Sequence, residues 1–163
     1  MEMGVQITVP NIALFRPGNG RRLLQQEVGK GIANVAEAIA TQARVEAPVD
    51  RGILRSSIFT EVTPGQGNVL VRGTVSTGPQ APYAEDVEKG TPPHWISDID
   101  ALKGWARRHG MPEGAAYAIR RNIAREGTKA QPYMQPAARQ QRSRIGPEMD
   151  KAVARAIERL GQA

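Results

Sequence analysis

The chain has 163 residues, no cysteine, 4 % aromatic residues and a formal net charge of +6, a length that suits one ordinary domain, 1–163, and is too short for two full ones. The lack of cysteine excludes disulfide scaffolding, thiolate zinc sites and thiol nucleophiles, and with no stretch near roughly 20 apolar residues and no signal-peptide pattern, a soluble, unexported chain without a membrane partner is expected. Charge is uneven: residues 1–102 carry nine Lys or Arg against eleven Asp or Glu, −2, whereas residues 103–163 carry thirteen against five, +8, a balance that suits phosphate, acidic membrane or acidic protein without choosing among them.

Val5 to Val9 alternate as a strand does, but Pro10, Pro17, Gly18 and Gly20 follow. This reads as an extended N-terminal arm over residues 1–20, ordering against a neighbour. From Arg22 to Ala47, Leu24, Val28, Ile32, Val35, Ile39 and Ala43 recur every three or four residues, the period of a helix with one apolar side. Pro48 bars its continuation. Gly29 and Gly31 weaken it locally by up to about 1 kcal/mol each, so packing must compensate or another backbone must approach there.

Two β-branched runs, Ser57 to Val62 and Asn68 to Val75, flank Pro64-Gly65-Gln66-Gly67, which predicts an antiparallel hairpin. A lone hairpin is marginal in water, so the long helix is expected to cover one face. Residues 78–93 read as a proline-bounded loop with a short helical or extended centre. Helices over Ile96 to Arg108 and Glu113 to Arg125 follow, with Ser97 or Asp98 as cap and Gly110 and Gly127 as stops, making a helical hairpin inserted at 96–126. A last helical region runs from Pro136 to Leu160, broken at Gly146-Pro147, with Ile145, Met149, Val153, Ile157 and Leu160 as its apolar side. The fold class is therefore α+β: a small antiparallel sheet packed on a long N-terminal helix, with an inserted helical hairpin and a C-terminal helix.

Three segments carry a resemblance. Ala47-Pro48-Val49-Asp50-Arg51-Gly52-Ile53-Leu54-Arg55-Ser56-Ser57-Ile58 joins a helix end to a strand start: Pro48 stops the helix, Asp50 has the chemistry to fold onto turn amides, and Gly52 suits positive φ. It resembles the "AP-V-D-T-G-x-L-R-x-S-I" hallmark of the neck and tail-completion proteins of long-tailed bacteriophages, with Arg51 where Thr is usual. Ala81 to Thr91 is similar to that family's "YA-x-x-V-E-x-G-T" segment, through Tyr83, Val87, Glu88, Gly90 and Thr91. Thr128 to Ala137 is similar to its "A-x-P-F-L-x-P-A", through Pro132, Tyr133 and Pro136, with Tyr133 for Phe and Met134 for Leu.

The resemblance covers residues 47–137 and implies a structural virion protein of the phage neck, assembled in the host cytoplasm. It would act as a ring of six copies that completes the tail. Its neighbours would be a head-closure or connector protein on one side and a tail terminator or tail tube protein on the other, with DNA passing through the channel. Pro48, Asp50, Gly52, Leu54, Arg55 and Ser57, with the residues named for the other two segments, are then assembly candidates. Arg107, Arg108, Arg120, Arg121 and Arg125 would form a basic docking face toward acidic rings.

The residues offer little for catalysis. His94 and His109 lie 15 apart without metal-ligand spacing. Glu85, Asp86 and Glu88, and Asp98 with Asp100, read as solvated loop or first-turn acids, and Ser56-Ser57 sits in no nucleophile elbow. No catalytic residue, metal ligand or cofactor site is assigned. The alternative is a basic nucleic-acid-binding module, because the arginines could neutralise phosphates, although few aromatics interleave with them in sequence. Trp95 and Trp105 read as core, the latter sharing a helix face with Leu102. Tyr83 and Tyr133 suit core or subunit contact equally.

Overall fold

In the computed structural model, residues 4–10, 19–66 and 69–162 are described. The elements in order are β1 (Gly4–Pro10), α1 (Asn19–Glu46), α2 (Ile53–Ser57), β2 (Ile58–Pro64), β3 (Val69–Thr77), α3 (Ala84–Lys89), α4 (Ile99–Arg108), α5 (Ala115–Glu126), α6 (Met134–Gln141), a 3-10 turn (Arg142–Arg144) and α7 (Ile145–Gly161). The class is α+β, with a three-stranded antiparallel sheet ordered β1-β3-β2.

Part of the expected N-terminal arm is an integral strand. Val5 pairs with Val75 and Ile7 with Gly73, so β1 is the third strand that a two-stranded hairpin lacks. The reading of residues 1–20 as an arm awaiting a neighbour is corrected over Gly4–Pro10, and residues 1–3 and 11–18 of it lie outside the described residues. The alternating run was a true strand signal; the prolines and glycines that follow it had argued for irregularity.

The long helix buries Leu24, Val28, Ile32, Val35, Ile39 and Ala43, as their spacing requires, together with Ala36 and Ala40, and Ala47 just past its end is buried too. One side of α1 lies on the sheet, where a side chain at Gly73 would collide with the Ile32 methyl. That glycine lets helix and strand approach closely. The other side carries α6 and α7, giving three layers: sheet, central helix, C-terminal helices. Gly31 meets the backbone approach expected of it, its missing Cβ lying 2.9 Å from Met149 Cε and 3.1 Å from the Glu148 carbonyl, whereas Gly29 has open space around it.

This close approach also turns α7. Its fully buried residues are Ala152 and Ala156, with Ile145, Met149 and Val153 partly buried against the core, while Ile157 is exposed. Small side chains win the contact because a glycine faces them. The helical break comes at Arg142–Arg144, ahead of the expected Gly146-Pro147; Pro147 sits in the first turn of α7, where a missing N–H costs nothing.

Glu27 lies on the buried stripe of α1 and is itself buried. Its carboxylate accepts from Lys30 Nζ at 2.7 Å, Arg159 Nη1 at 2.6 Å and Arg155 Nε at 3.1 Å, tying α1 to α7. Lys30 first, then Arg159, hold its pKa down from 4.5 to about 2. A carboxyl depressed on folding contributes stability that is whole above the unfolded pKa and is lost as pH falls through the folded one. Urea midpoints measured from neutral pH downward should therefore fall between about 4.5 and 2, and Glu27→Gln should flatten that part of the profile. An unchanged acid slope in the variant would contradict the assignment.

Candidate functional site

The first family-like segment begins where Pro48 ends α1. Gly52 adopts φ +77°, the left-handed region that glycine tolerates, and starts α2, a short helix not anticipated from sequence. Leu54 and Ser57 are buried; Ser57 Oγ donates to the Leu54 carbonyl at 2.7 Å. Arg55 turns back to the end of α1, its Nε donating to the Ala47 carbonyl at 3.1 Å and Nη2 to that of Val45 at 3.4 Å. An arginine there satisfies carbonyls that the helix leaves free and opposes the negative end of its dipole.

Asp50 departs from expectation. Its two oxygens accept from Nε and Nη2 of Arg108, each at 2.7 Å, and His109 Nε2 lies 3.5 Å away. The Arg108 guanidinium holds the Asp50 carboxyl below the usual carboxylate range, with Arg51 and His109 adding to the effect. The carboxylate thus latches the inserted α4–α5 hairpin to the first segment. A fork-to-fork pair satisfies it better than turn amides do, and its partner lies 58 residues away, beyond local sequence reading.

The second and third segments meet through Glu88. This residue is buried, and its carboxylate accepts backbone N–H groups from Tyr133 at 2.8 Å, Met134 at 2.9 Å and Gln135 at 2.9 Å. An α-helix leaves its first four N–H groups without intrahelical partners. At α6 these belong to Tyr133, Met134, Gln135 and Pro136. Glu88 takes three, and the fourth residue is a proline, which has none. Every donor at this helix start is thereby accounted for by residues of the two segments.

The junction continues outward. The Gln131 N–H donates to the Val87 carbonyl at 2.8 Å, and Thr91 and Thr128 exchange backbone hydrogen bonds of 3.1 Å each. Their hydroxyls lie 2.9 Å apart. Gly90 and Gly127 flank this bridge with φ of +74° and +76°. Tyr133 is wholly buried, whereas Tyr83 is exposed, so the two tyrosines divide between core and surface. Burial first, then the Glu88 charge, raises the Tyr133 pKa.

Among the described residues the Tyr133 hydroxyl is buried without a hydrogen-bond partner. The segment that Tyr133 resembles has Phe at this place. Removing an orphaned buried hydroxyl while keeping the ring should be neutral or stabilising by up to about 1 kcal/mol, where a bonded tyrosine loses a similar amount. Urea unfolding of Tyr133→Phe reads the sign directly.

Between the first segment, α3 and α4 runs a groove of about 520 Å³. Its apolar lining includes Val49, Ile53, Leu54, Tyr83, Val87, Leu102 and Trp105, with Asp50, Arg108 and His109 among its polar groups. Trp105 is therefore only partly buried, its ring tilted at 41° against that of His109 with centroids 4.2 Å apart. The reading of Trp105 as core is corrected: α4 belongs to a hairpin that leaves a gap toward the first segment. Trp95, also read as core, is 64 % exposed.

The five arginines expected to form a docking face divide. Arg108 is engaged by Asp50, Arg107 lies 3.4 Å from Glu113, and Arg125 pairs with Glu126 at 2.6 Å. Arg120 instead stacks on Trp95, its guanidinium carbon 4.4 Å from the ring centroid, and lies 5.6 Å from that of Tyr117. Aromatics scattered in sequence thus gather around a cation in space. The i, i+3 spacing of Tyr117 and Arg120 was the available signal; the approach of Trp95 from the preceding loop had none. Compared with family models, curated proteins and solved structures, the chain has no match.

Proposed function

We propose that this protein is a structural subunit of the neck of a long-tailed phage particle, which completes the tail and joins it to the head connector as a ring of six copies. What supports the reading is the junction of the three family-like segments. Residues far apart in sequence build the helix cap of Glu88, the Thr91–Thr128 bridge and, through Tyr83, Val87 and Gln131, the groove beside Asp50 and Gly52. A motif set of this kind specifies a rigid scaffold. The groove, the open edges of the sheet and the hairpin are the surfaces such a scaffold offers to neighbouring copies and to adjoining rings.

Rigidity suits the task, because a subunit preorganised for docking loses little conformational freedom on assembly. Head-to-tail ring closure further requires two different surfaces on each copy. Purified particles from a host that produces this protein supply the test. The chain should copurify with them and be labelled at the head–tail junction by antibody against an added tag. Its absence from particles that carry complete, joined tails would overturn the reading.

A further inference from the structure

The cations of the α4–α5 hairpin are not equivalent. Lys103, Arg107, Arg108 and Arg125 each have a carboxylate within the same chain. Arg120 and Arg121 form no ion pair among the described residues, and the Arg120 guanidinium lies over the Trp95 ring, with Tyr117 close by. Both aromatic residues are half or more exposed, 64 % for Trp95 and 50 % for Tyr117. A guanidinium fixed in this way is a preorganised two-pronged donor for a carboxylate. Tryptophan, tyrosine and arginine are also the residues that dominate the energetics of protein interfaces.

A counterpart lies on the edge strand β2. Phe59 and Glu61 are two residues apart and so share one face of the sheet, where their cross-strand partners are Ser76 and Thr74. Phe59 is 40 % exposed, Glu61 is exposed, and Glu61 forms no ion pair among the described residues. Among the described residues no further strand pairs with the outer edge of β2 in the order β1-β3-β2. One chain therefore carries a free guanidinium framed by aromatics and, on another element, a free carboxylate beside an aromatic.

We infer that Arg120, Trp95 and Tyr117 of one copy dock on Glu61 and Phe59 of the next, making the head-to-tail contact of the ring. The inference rests on the ring reading above. It favours protein over nucleic acid because Asp100, Glu113 and Glu126 are interspersed with the hairpin's cations. A phosphate backbone laid along the hairpin would meet those carboxylates, whereas one protein carboxylate would not.

Sedimentation velocity of the full chain over a range of concentrations tests this, with the variants Arg120→Glu, Glu61→Arg and the two combined. Each single reversal should weaken self-association by about tenfold or more, and the combined reversal should restore it. Since the chain has no cysteine, Arg121→Cys with Thr63→Cys, which lies on the same face of β2 as Glu61 and leaves both charged partners in place, should add oxidative cross-links between copies, seen as a ladder under denaturing conditions. Wild-type association that neither reversal alters, with no ladder, overturns this contact and leaves the ring reading standing. Duplex DNA retarded by wild type and released by Arg120→Glu, with self-association intact, overturns it in favour of nucleic acid. A wild-type chain that stays monomeric throughout overturns both.

Discussion

Glu88→Ala should destabilise the fold by about 3 kcal/mol or more, because three charge-assisted hydrogen bonds are lost and two of the freed donors stay buried. Tyr133 and Met134 have almost no exposed surface, so water does not readily replace the carboxylate at their N–H groups. Glu88→Gln should fall between. Its single carbonyl oxygen can still serve Tyr133 and Met134, which now share Oε2, but its NH2 group would confront the Gln135 N–H that Oε1 now accepts. Urea unfolding ranks the three proteins, and amide exchange at residues 133–135 locates the effect. Equal stability for Ala and Gln, both within about 0.5 kcal/mol of wild type, would show that the cap contributes little.

Gly127→Ala should cost about 2 to 4 kcal/mol, and Gly52→Ala only about 1 to 2, although the two glycines have almost the same positive φ. Gly127 has φ +76° with ψ −158°, a region essentially confined to glycine, whereas Gly52 has φ +77° with ψ −2°, the left-handed helical region that other residues visit at modest cost, so the intrinsic penalty is itself larger at Gly127. Their surroundings differ as well. A Cβ at Gly127 would run into the Thr91 carbonyl oxygen and Pro92, while one at Gly52 meets nothing within 4 Å. Backbone cannot rotate away as a side chain can, so the alanine at Gly127 must also spread the Thr91–Thr128 bridge. Thermal unfolding of the pair ranks them, and equal losses would mean both that the bridge yields freely and that the backbone region at Gly127 adds no penalty.

How much of this was legible beforehand follows from how local each cause is. The period of Leu24 through Ala43 specified α1, and the turn formers after Val62 specified the β2–β3 hairpin, because both signals lie within the element they describe. Gly110 and Gly127 punctuated the helical pair for the same reason. The membership of β1 in the sheet was less legible: its alternation was plain, but its partner, β3, begins 59 residues beyond its last residue. The cap on α6 was not legible at all, since nothing near Glu88 distinguishes a capping acid from a solvated one. Its function is written in the Tyr133-Met134-Gln135-Pro136 run, 45 residues or more downstream.

Glu27 did leave a trace, a carboxylate on the apolar stripe between Leu24 and Val28 with two arginines one turn apart near the other terminus, Arg155 and Arg159. A buried acid needs cations, and that spacing supplies them from one helix face. The basic hairpin taught the opposite lesson. Counting charge assigned a field to the segment, whereas the ion pairs with Asp50, Glu113 and Glu126 leave a much smaller free surface centred on Arg120 and Arg121. Net charge describes long-range attraction; which cations are free to bind is decided by their neighbours.

On the proposed ring, the exposed faces of this scaffold exist to be covered by further copies. Native mass spectrometry of the full chain across a wide concentration range tests it most directly. One discrete closed oligomer, six copies in mass, is expected to grow at the expense of the monomer as concentration rises. A single monomeric mass at every concentration would contradict it.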